Sequence, residues 1–512
     1  MTRLDGVAVA ATAATMVCAA PALAVLVLAL VGNSDAAFGA NLIREGALGT
    51  FSLIVVGGGT AVALGAASAW LVSLCSFPGR GLFEWLLVIP LAAPSYILAY
   101  AYAGMTWTGG APVPVQGFWG AAFVYAVGLY PYVYLSARAA FASQSACAIE
   151  AARTLGVAPL KLFWRVALPL ARPGIVAGGA LALMEIAADY GAAQHFGLTT
   201  LTTAIFRAWY AHQSLYGALQ ISAVLLLAAF IFLLVERQAR GRAAFGGGSS
   251  RWRPLPRYRL TATIGALATV FCAALVGFGA VLPLAWLARL AWLHGEVGDI
   301  VQPLINSLVL SLVGVVITLA LAAAIASAAR RTGAAGKISL FAAGFGYAAP
   351  GAVIAMGALA LFGLAREAGW IGGLGAGLAL LALLWTYAAR FAAAGVGPID
   401  AGLARLSKGV DASARTLGAG PWRRFAEIDL PIAMPSLAAA ALILFVEILK
   451  ELPATLILRP FNFDTLAVHT YAYASDERLL EAAAPALLIF IAGLAPIVLI
   501  ARSIERSRAG AR

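Results

Sequence analysis

Two pairs of acidic residues interrupt stretches that are otherwise apolar. Glu185 and Asp189 lie four residues apart, and Glu447 and Glu451 repeat that spacing later in the chain. On a helix, positions i and i+4 share a face, so each pair would present two carboxylates side by side. An ionised side chain at the bilayer centre costs about 2.5–3.5 kcal/mol on insertion scales, so an acid in a span points to a pathway or gate. Their chemistry is oxygen ligation, which hard, highly charged cations prefer. The expectation is that Glu185, Asp189, Glu447 and Glu451 surround a translocation pathway and transiently ligate a metal cation. The competing reading is structural. Helix breaks are expected just after each pair, at Tyr190-Gly191 and Leu452-Pro453, where the acids would bond freed backbone groups or pair with Lys450 and nearby arginines.

The elements that carry these acids follow from composition. Of 512 residues, 62% are hydrophobic and 11% charged, with mean hydropathy +0.92. A soluble domain carries roughly 25% charged residues, so this chain must hide its surface in lipid. The expected fold is all-α and integral to the membrane. Apolar segments of spanning length lie at 7–31, 51–75, 82–105, 117–137, 174–193 and 217–235, then at 261–285, 304–328, 339–364, 371–389, 435–457 and 482–501. That is about twelve spans, as six plus six. The units expected are 1–236 and 260–512, joined by a basic Gly/Ser linker at 237–259. The first apolar run is too long for a signal peptide and reads as an uncleaved span. With both termini inside, most of the 34 Lys and Arg residues fall in cytoplasmic segments. The net charge of +12 therefore reflects the positive-inside bias and gives no reason to expect nucleic acid.

The halves are duplicates. Ala152-Arg153-Thr154-Leu155-Gly156 recurs as Ala414-Arg415-Thr416-Leu417-Gly418, 262 residues later, and Pro169, Glu185 and Asp189 match Pro431, Glu447 and Glu451 in the same register. Each copy reads as a cytoplasmic helical hairpin. A short helix ends at the glycine, and a second, amphipathic one is broken at Leu168-Pro169 before the next span. Such a hairpin suits docking into a partner's groove.

At these residues the chain resembles the permeases of binding-protein-dependent ABC importers. Their signature is Glu-Ala-Ala, three residues, Gly, nine residues, an aliphatic residue, any residue, then Leu-Pro. The first copy fits with Glu150, Ala151, Ala152, Gly156, Val166, Leu168 and Pro169. The second keeps Gly418, Ile428, Leu430 and Pro431 but has Ala412-Ser413-Ala414 at the acidic triplet, with Asp411 one position early. The resemblance implies two tandem type I permease units of six helices whose hairpins sit on a homodimeric ATPase. The coupling residues would be Glu150, Ala151, Ala152, Gly156 and Pro169, then Asp411, Ala414, Gly418 and Pro431. ATP and Mg would belong to that ATPase. Gly333 to Ile338 has the wrong spacing for a phosphate-cradling GxxxxGK[S/T] loop, so no enzyme activity and no cofactor are expected in this chain.

The run Lys450 to Ala467, with Asp189 to Tyr210 as its first-half counterpart, resembles the ferric-iron importer permeases. That resemblance implies delivery of iron(III) by a periplasmic binding protein at a bacterial inner membrane, with Arg207, Trp209, Arg459 and Asp464 as docking contacts. Fused permeases for thiamine or phosphonates are alternatives. From a different class, an ion-coupled secondary transporter also has duplicated halves and intramembrane acids. The four cysteines show no metal spacing and read as small buried apolar residues.

Overall fold

The structure, a computed structural model, describes residues 4–32, 36–107, 115–142, 159–244, 257–294, 300–331, 333–372, 375–403, parts of 413–429, and 430–509. The chain opens with α1 (Leu4–Val31), then α2 (Ala36–Leu53) and α3 (Gly59–Leu74), the last two joined through a π-turn at Ile54–Gly58. Next come α4 (Arg80–Leu86), α5 (Ser95–Trp107) and α6 (Gly117–Ala142). Helical turns Pro159–Leu162 and Phe163–Ala167 run into α7 (Leu168–Ala188), followed by short α8 (Gly191–His195) and α9 (Leu201–Phe206), then α10 (Leu215–Ala244). The rest comprises α11 (Ala262–Val276), α12 (Leu282–His294), α13 (Val301–Arg331), α14 (Ala334–Ala348), α15 (Gly351–Glu367) and α16 (Ala376–Leu403). It closes with α17 (Leu430–Leu449), α18 (Pro453–Leu458), α19 (Leu466–Ser475) and α20 (Leu479–Ala509). The two-residue strands Cys75–Ser76 and Tyr258–Arg259 pair in parallel.

Among the described residues, eight helices are long and apolar enough to cross a membrane, or up to ten if each bent pair is one span. A helical fold with several candidate membrane spans is thus observed, while the pattern of twelve straight spans is modified at identifiable residues. The segments 82–105 and 339–364 are bent by 90° and 110°. Pro94 and Pro350 follow the bends, and the preceding Ala93 and Ala349 are extended, with ψ 116° and 130°. A proline lacks a donor and drives the residue before it out of the α region. Segment 435–457 stops at Leu449. Segment 371–389 gives way to α16, which continues through Arg390 to Leu403. Pro169 does not break its helix as expected. The π-turn at Phe163–Ala167 precedes it, and helix runs on to Ala188. A π-turn widens the ladder where a proline removes a donor. The expected linker is partly regular, because α10 extends to Ala244 and Tyr258–Arg259 pairs as a strand.

Two compact units interleave along the sequence. One comprises Met1–Asp35, Ala208–Leu226 and Val297–His469. Its core joins Ala14 and Cys18 of α1 to Ala322, Ile325 and Ala326 of α13, Ala342 and Ala343 of α14, Ala392, Val396 and Ile399 of α16, and Ala440 of α17. Small side chains let helices approach closely where lipid removes the hydrophobic drive between them. Thr15 and Ser339 share a 2.9 Å hydrogen bond, and Trp385 Nε1 donates to the Val17 carbonyl at 2.9 Å, so α1 is tied to α14 and α16 by polar contacts.

The other unit comprises Ala36–Arg207, Leu227–Glu296 and Thr470–Arg512. It is centred on α3, α6 and α7, with α12 packed on α20 and α5. Its large buried side chains include Tyr100, Tyr125, Tyr130 and Tyr134. Cys75 and Cys272 here, like Cys18 in the first unit, are free and buried, as small apolar residues would be; Cys147 lies outside the described residues.

Candidate functional site

Both acid pairs sit where a long helix ends and a short one begins. In the half carrying Glu185 and Asp189, α7 stops at Ala188 and Asp189 adopts extended backbone with ψ 129°. Its carboxylate Oδ1 accepts the N–H groups of Ala192 at 2.8 Å and Ala193 at 3.4 Å, which open α8. The hydroxyls of Ser95, the first residue of α5, and of Tyr125 lie close to the same carboxylate. Thr202 donates to the Ala187 carbonyl at 2.7 Å, satisfying an acceptor that the end of α7 would leave open. Thr200 caps α9 in a reciprocal capping box with Thr203, and Leu201 N–H reaches Thr50 Oγ1 at 2.9 Å.

The half carrying Glu447 and Glu451 repeats this plan. Helix α17 ends at Leu449, and Glu451 Oε1 accepts the Ala454 N–H at 3.0 Å at the start of α18. The register is conserved within the chain: Ala454 and Ala192 are 262 positions apart, as are Glu451 and Asp189. Thr465 Oγ1 accepts the Val468 N–H at 3.4 Å, as Thr200 does for Thr203, and Leu466 N–H reaches Ser307 Oγ at 2.6 Å, as Leu201 does for Thr50. A charged partner also joins the carboxylate in this half. Arg390 Nη1 meets Glu451 Oε2 at 2.8 Å, with the two side chains only 12% and 5% exposed. Thr455 donates to the Glu451 carbonyl at 2.8 Å and shares a 2.6 Å hydrogen bond with Tyr387. Lys450 pairs with Glu447 at 2.7 Å.

One expectation changes here. Asp189 and Glu451 do not share a helical face with Glu185 and Glu447, because each lies past the end of its helix. The physical reason is capping: a carboxylate accepting the first N–H groups of a helix satisfies donors that have no partner within it and complements their partial positive charge. Backbone polar groups in a bilayer must be satisfied within the protein, so a break there needs such a residue. Glu185 and Glu447 remain on α7 and α17, both half-buried. Among the described residues, no group of three or more His, Cys, Asp or Glu side chains is placed to hold a metal ion.

The other predicted residues are dispersed. Arg207 is exposed at the end of α9, and Trp209 is half-buried, edge-on to Tyr210, whose hydroxyl donates to the Leu456 carbonyl at 2.7 Å. Arg459 and Asp464 pair with each other, closing a turn in which Asn462 has φ 59° and Phe461 is fully exposed. Of the coupling residues, Glu150, Ala151, Ala152, Gly156 and Asp411 lie outside the described residues. Ala414 is buried in a helical turn, and Gly418 has φ 77°, the left-handed conformation expected of a helix-stopping glycine. Pro169 and Pro431 each occupy the second position of a helix, in α7 and α17.

Sequence reasoning missed Ser95, Tyr125, Gly351, Tyr387 and Arg390. The signal was present: Tyr125 and Tyr387 are 262 apart, and Arg390 is a lone charge between Ala389 and Phe391.

Comparison with known proteins adds independent evidence. A family model described as binding-protein-dependent transport system inner membrane component matches twice, over residues 59–244 and 316–509. The Fe(3+)-transport system permease protein FbpB 2 of Haemophilus influenzae is 24% identical over 451 residues, 86% of each chain. The molybdenum transport system permease protein ModB of Escherichia coli K12 is 31% identical over 137 residues, covering 24% of this chain and 58% of the relative. The sulfate transport system permease protein CysT of Synechococcus elongatus is 30% identical over 148 residues, 27% of this chain and 49% of the relative.

Proposed function

The chain belongs to the binding-protein-dependent transport system inner membrane components, and from that premise we propose that it is the fused, two-unit permease of an iron(III) importer. It is a transport permease of the ABC importer type, and permeases of this family work with an ATPase and a substrate-binding protein. The finer reading is a homodimeric ATPase on the cytoplasmic face, bearing ATP and Mg, and a periplasmic protein that delivers iron(III). Both termini would be cytoplasmic in a bacterial inner membrane. The observation that carries the substrate is the similarity to an Fe(3+)-transport permease across 86% of both chains, where the molybdenum and sulfate permeases match over shorter stretches. The chemistry of the breaks agrees. Their leading backbone donors, which an oxyanion would seek, already face the chain's own carboxylates.

In this mechanism ATP-driven closure of the ATPase moves the hairpins, and the two halves rock to open the pathway alternately to each side. Asp189 and Glu451 hold the breaks in shape. Glu185 and Glu447, one turn back, serve as the acids that meet the passing cation. The turn closed by Arg459 and Asp464, with Arg207 and Trp209, offers contacts to the binding protein. Reconstituted vesicles should take up labelled iron(III), and an excess of molybdate, sulfate, thiamine or a phosphonate should leave that uptake intact; uptake of one of these in place of iron would overturn the substrate. Exchanging both Glu185 and Glu447 for Gln should slow iron uptake about ten- to a hundredfold, the scale of a lost hydrogen bond to a charged group. A correctly inserted double variant with undiminished uptake would remove these two acids from the pathway.

A further inference from the structure

Two positions around the matched carboxylates differ together. Beside Asp189, the residue after Pro94 is Ser95, and α6 carries Gly128. Beside Glu451, the residue after Pro350 is Gly351, and α16 carries Arg390. The correspondence is positional. Gly128 and Arg390 are 262 apart, the interval that separates Tyr125 from Tyr387 and Asp189 from Glu451, while Ser95 and Gly351 each open a helix after the proline of a bend.

Space explains why the two differences go together. A Cβ added to Gly351 would run into Nη1 of Arg390 and Oε1 of Glu451, so a serine there would force the guanidinium and the carboxylate out of their present positions. At the other site the Ser95 hydroxyl lies beside the Asp189 carboxylate, and position 128 contributes no side chain. One carboxylate is therefore supported by hydroxyl and backbone donors, the other by a mostly buried guanidinium at 2.8 Å. Both cap a short helix through the N–H three residues on.

We propose that Arg390 is a positioning residue of the transport cycle. It holds Glu451 as the cap of α18, and Gly351–Arg390–Glu451 is a charged alternative to Ser95–Gly128–Asp189 that the chain would accept in exchange. A buried ion pair by itself is weak evidence of such a role, because apolar residues of similar volume often replace one without loss of stability. The cap differs in this respect: an apolar replacement of Glu451 leaves the Ala454 N–H without its acceptor.

The test uses the full chain assembled with its ATPase in lipid and compares three variants. They are Arg390→Gly, the graft Gly351→Ser with Arg390→Gly and Glu451→Asp, and the apolar pair Arg390→Met with Glu451→Met. Two quantities are read: amide hydrogen exchange over 452–458 and uptake of labelled iron(III). Arg390→Gly should expose 452–458 to exchange and lower uptake by more than about a hundredfold, the scale for removing one partner of a buried pair. The graft should return both to near the parent level. The apolar pair should insert and resist heat like the parent, yet keep 452–458 fast-exchanging and uptake low. Uptake restored as well by the apolar pair as by the graft would reduce Arg390 to a space-filler. A graft as impaired as Arg390→Gly would show that the sites are not alternatives. The uptake arm rests on the importer reading. Were the parent to move no iron, that reading would fail, and hydrogen exchange would still decide whether Arg390 positions the cap.

Discussion

Glu451→Ala should destabilise the folded protein by about 3–5 kcal/mol, the penalty for stranding one member of a buried ion pair. Arg390 would keep its charge in a pocket where it is 12% exposed, with the Glu451 carboxylate gone. The Ala454 N–H would lose its 3.0 Å acceptor in the same step. Asp189→Ala makes the matching deletion at the other break and should cost less, about 1–3 kcal/mol, because it leaves hydroxyl and backbone donors unsatisfied and strands no guanidinium at the position matching Arg390, which is Gly128. Thermal unfolding of the two variants in one detergent measures the difference. Equal losses would mean that Arg390 finds compensation elsewhere and that the asymmetry between the breaks has no energetic weight.

A bulky residue at Gly156 should uncouple uptake from ATP more severely than the same change at Gly418. The first copy of the motif carries the whole Glu-Ala-Ala signature, and the second has Ala412-Ser413-Ala414 in its place. Removing a well-packed contact at a docking centre costs about 2 kcal/mol or more, a loss of about thirtyfold in partner affinity. Gly418→Trp adds a backbone cost, since φ is 77° there, and a side chain in the left-handed region costs roughly 1–2 kcal/mol. Copurification of the ATPase, with ATP-dependent uptake measured alongside, separates docking from folding. Loss confined to Gly418→Trp would reverse the ranking and make the second, divergent copy of the motif the dominant one.

The positions of the two breaks were legible in the sequence because Gly191 and Pro453 follow acids in otherwise apolar runs. What periodicity could not convey was that Asp189 and Glu451 leave the helix in order to cap the next one. A four-residue spacing reads the same whether or not the ladder continues through it. Proline was an uneven guide for a similar reason. Pro94 and Pro350 mark sharp bends, while Pro169 lies within continuous helix because the π-turn at Phe163–Ala167 precedes it. Arg390 was hidden by its own charge. It marks the end of an apolar stretch to any reading based on hydropathy, and only the fold brings Glu451 to 2.8 Å and allows α16 to run on to Leu403. The grouping of α1 with α13, α14, α16 and α17 was equally beyond reach, since apolar faces rich in alanine do not name their neighbours.

The most direct test of the importer account is iron(III) accumulation in proteoliposomes holding this chain, its ATPase and the matching binding protein. Uptake that requires all three components and hydrolysable ATP, and persists when proton and sodium gradients are collapsed, is the predicted result. Accumulation that follows an ion gradient and ignores ATP would contradict it, and would make the chain a secondary carrier.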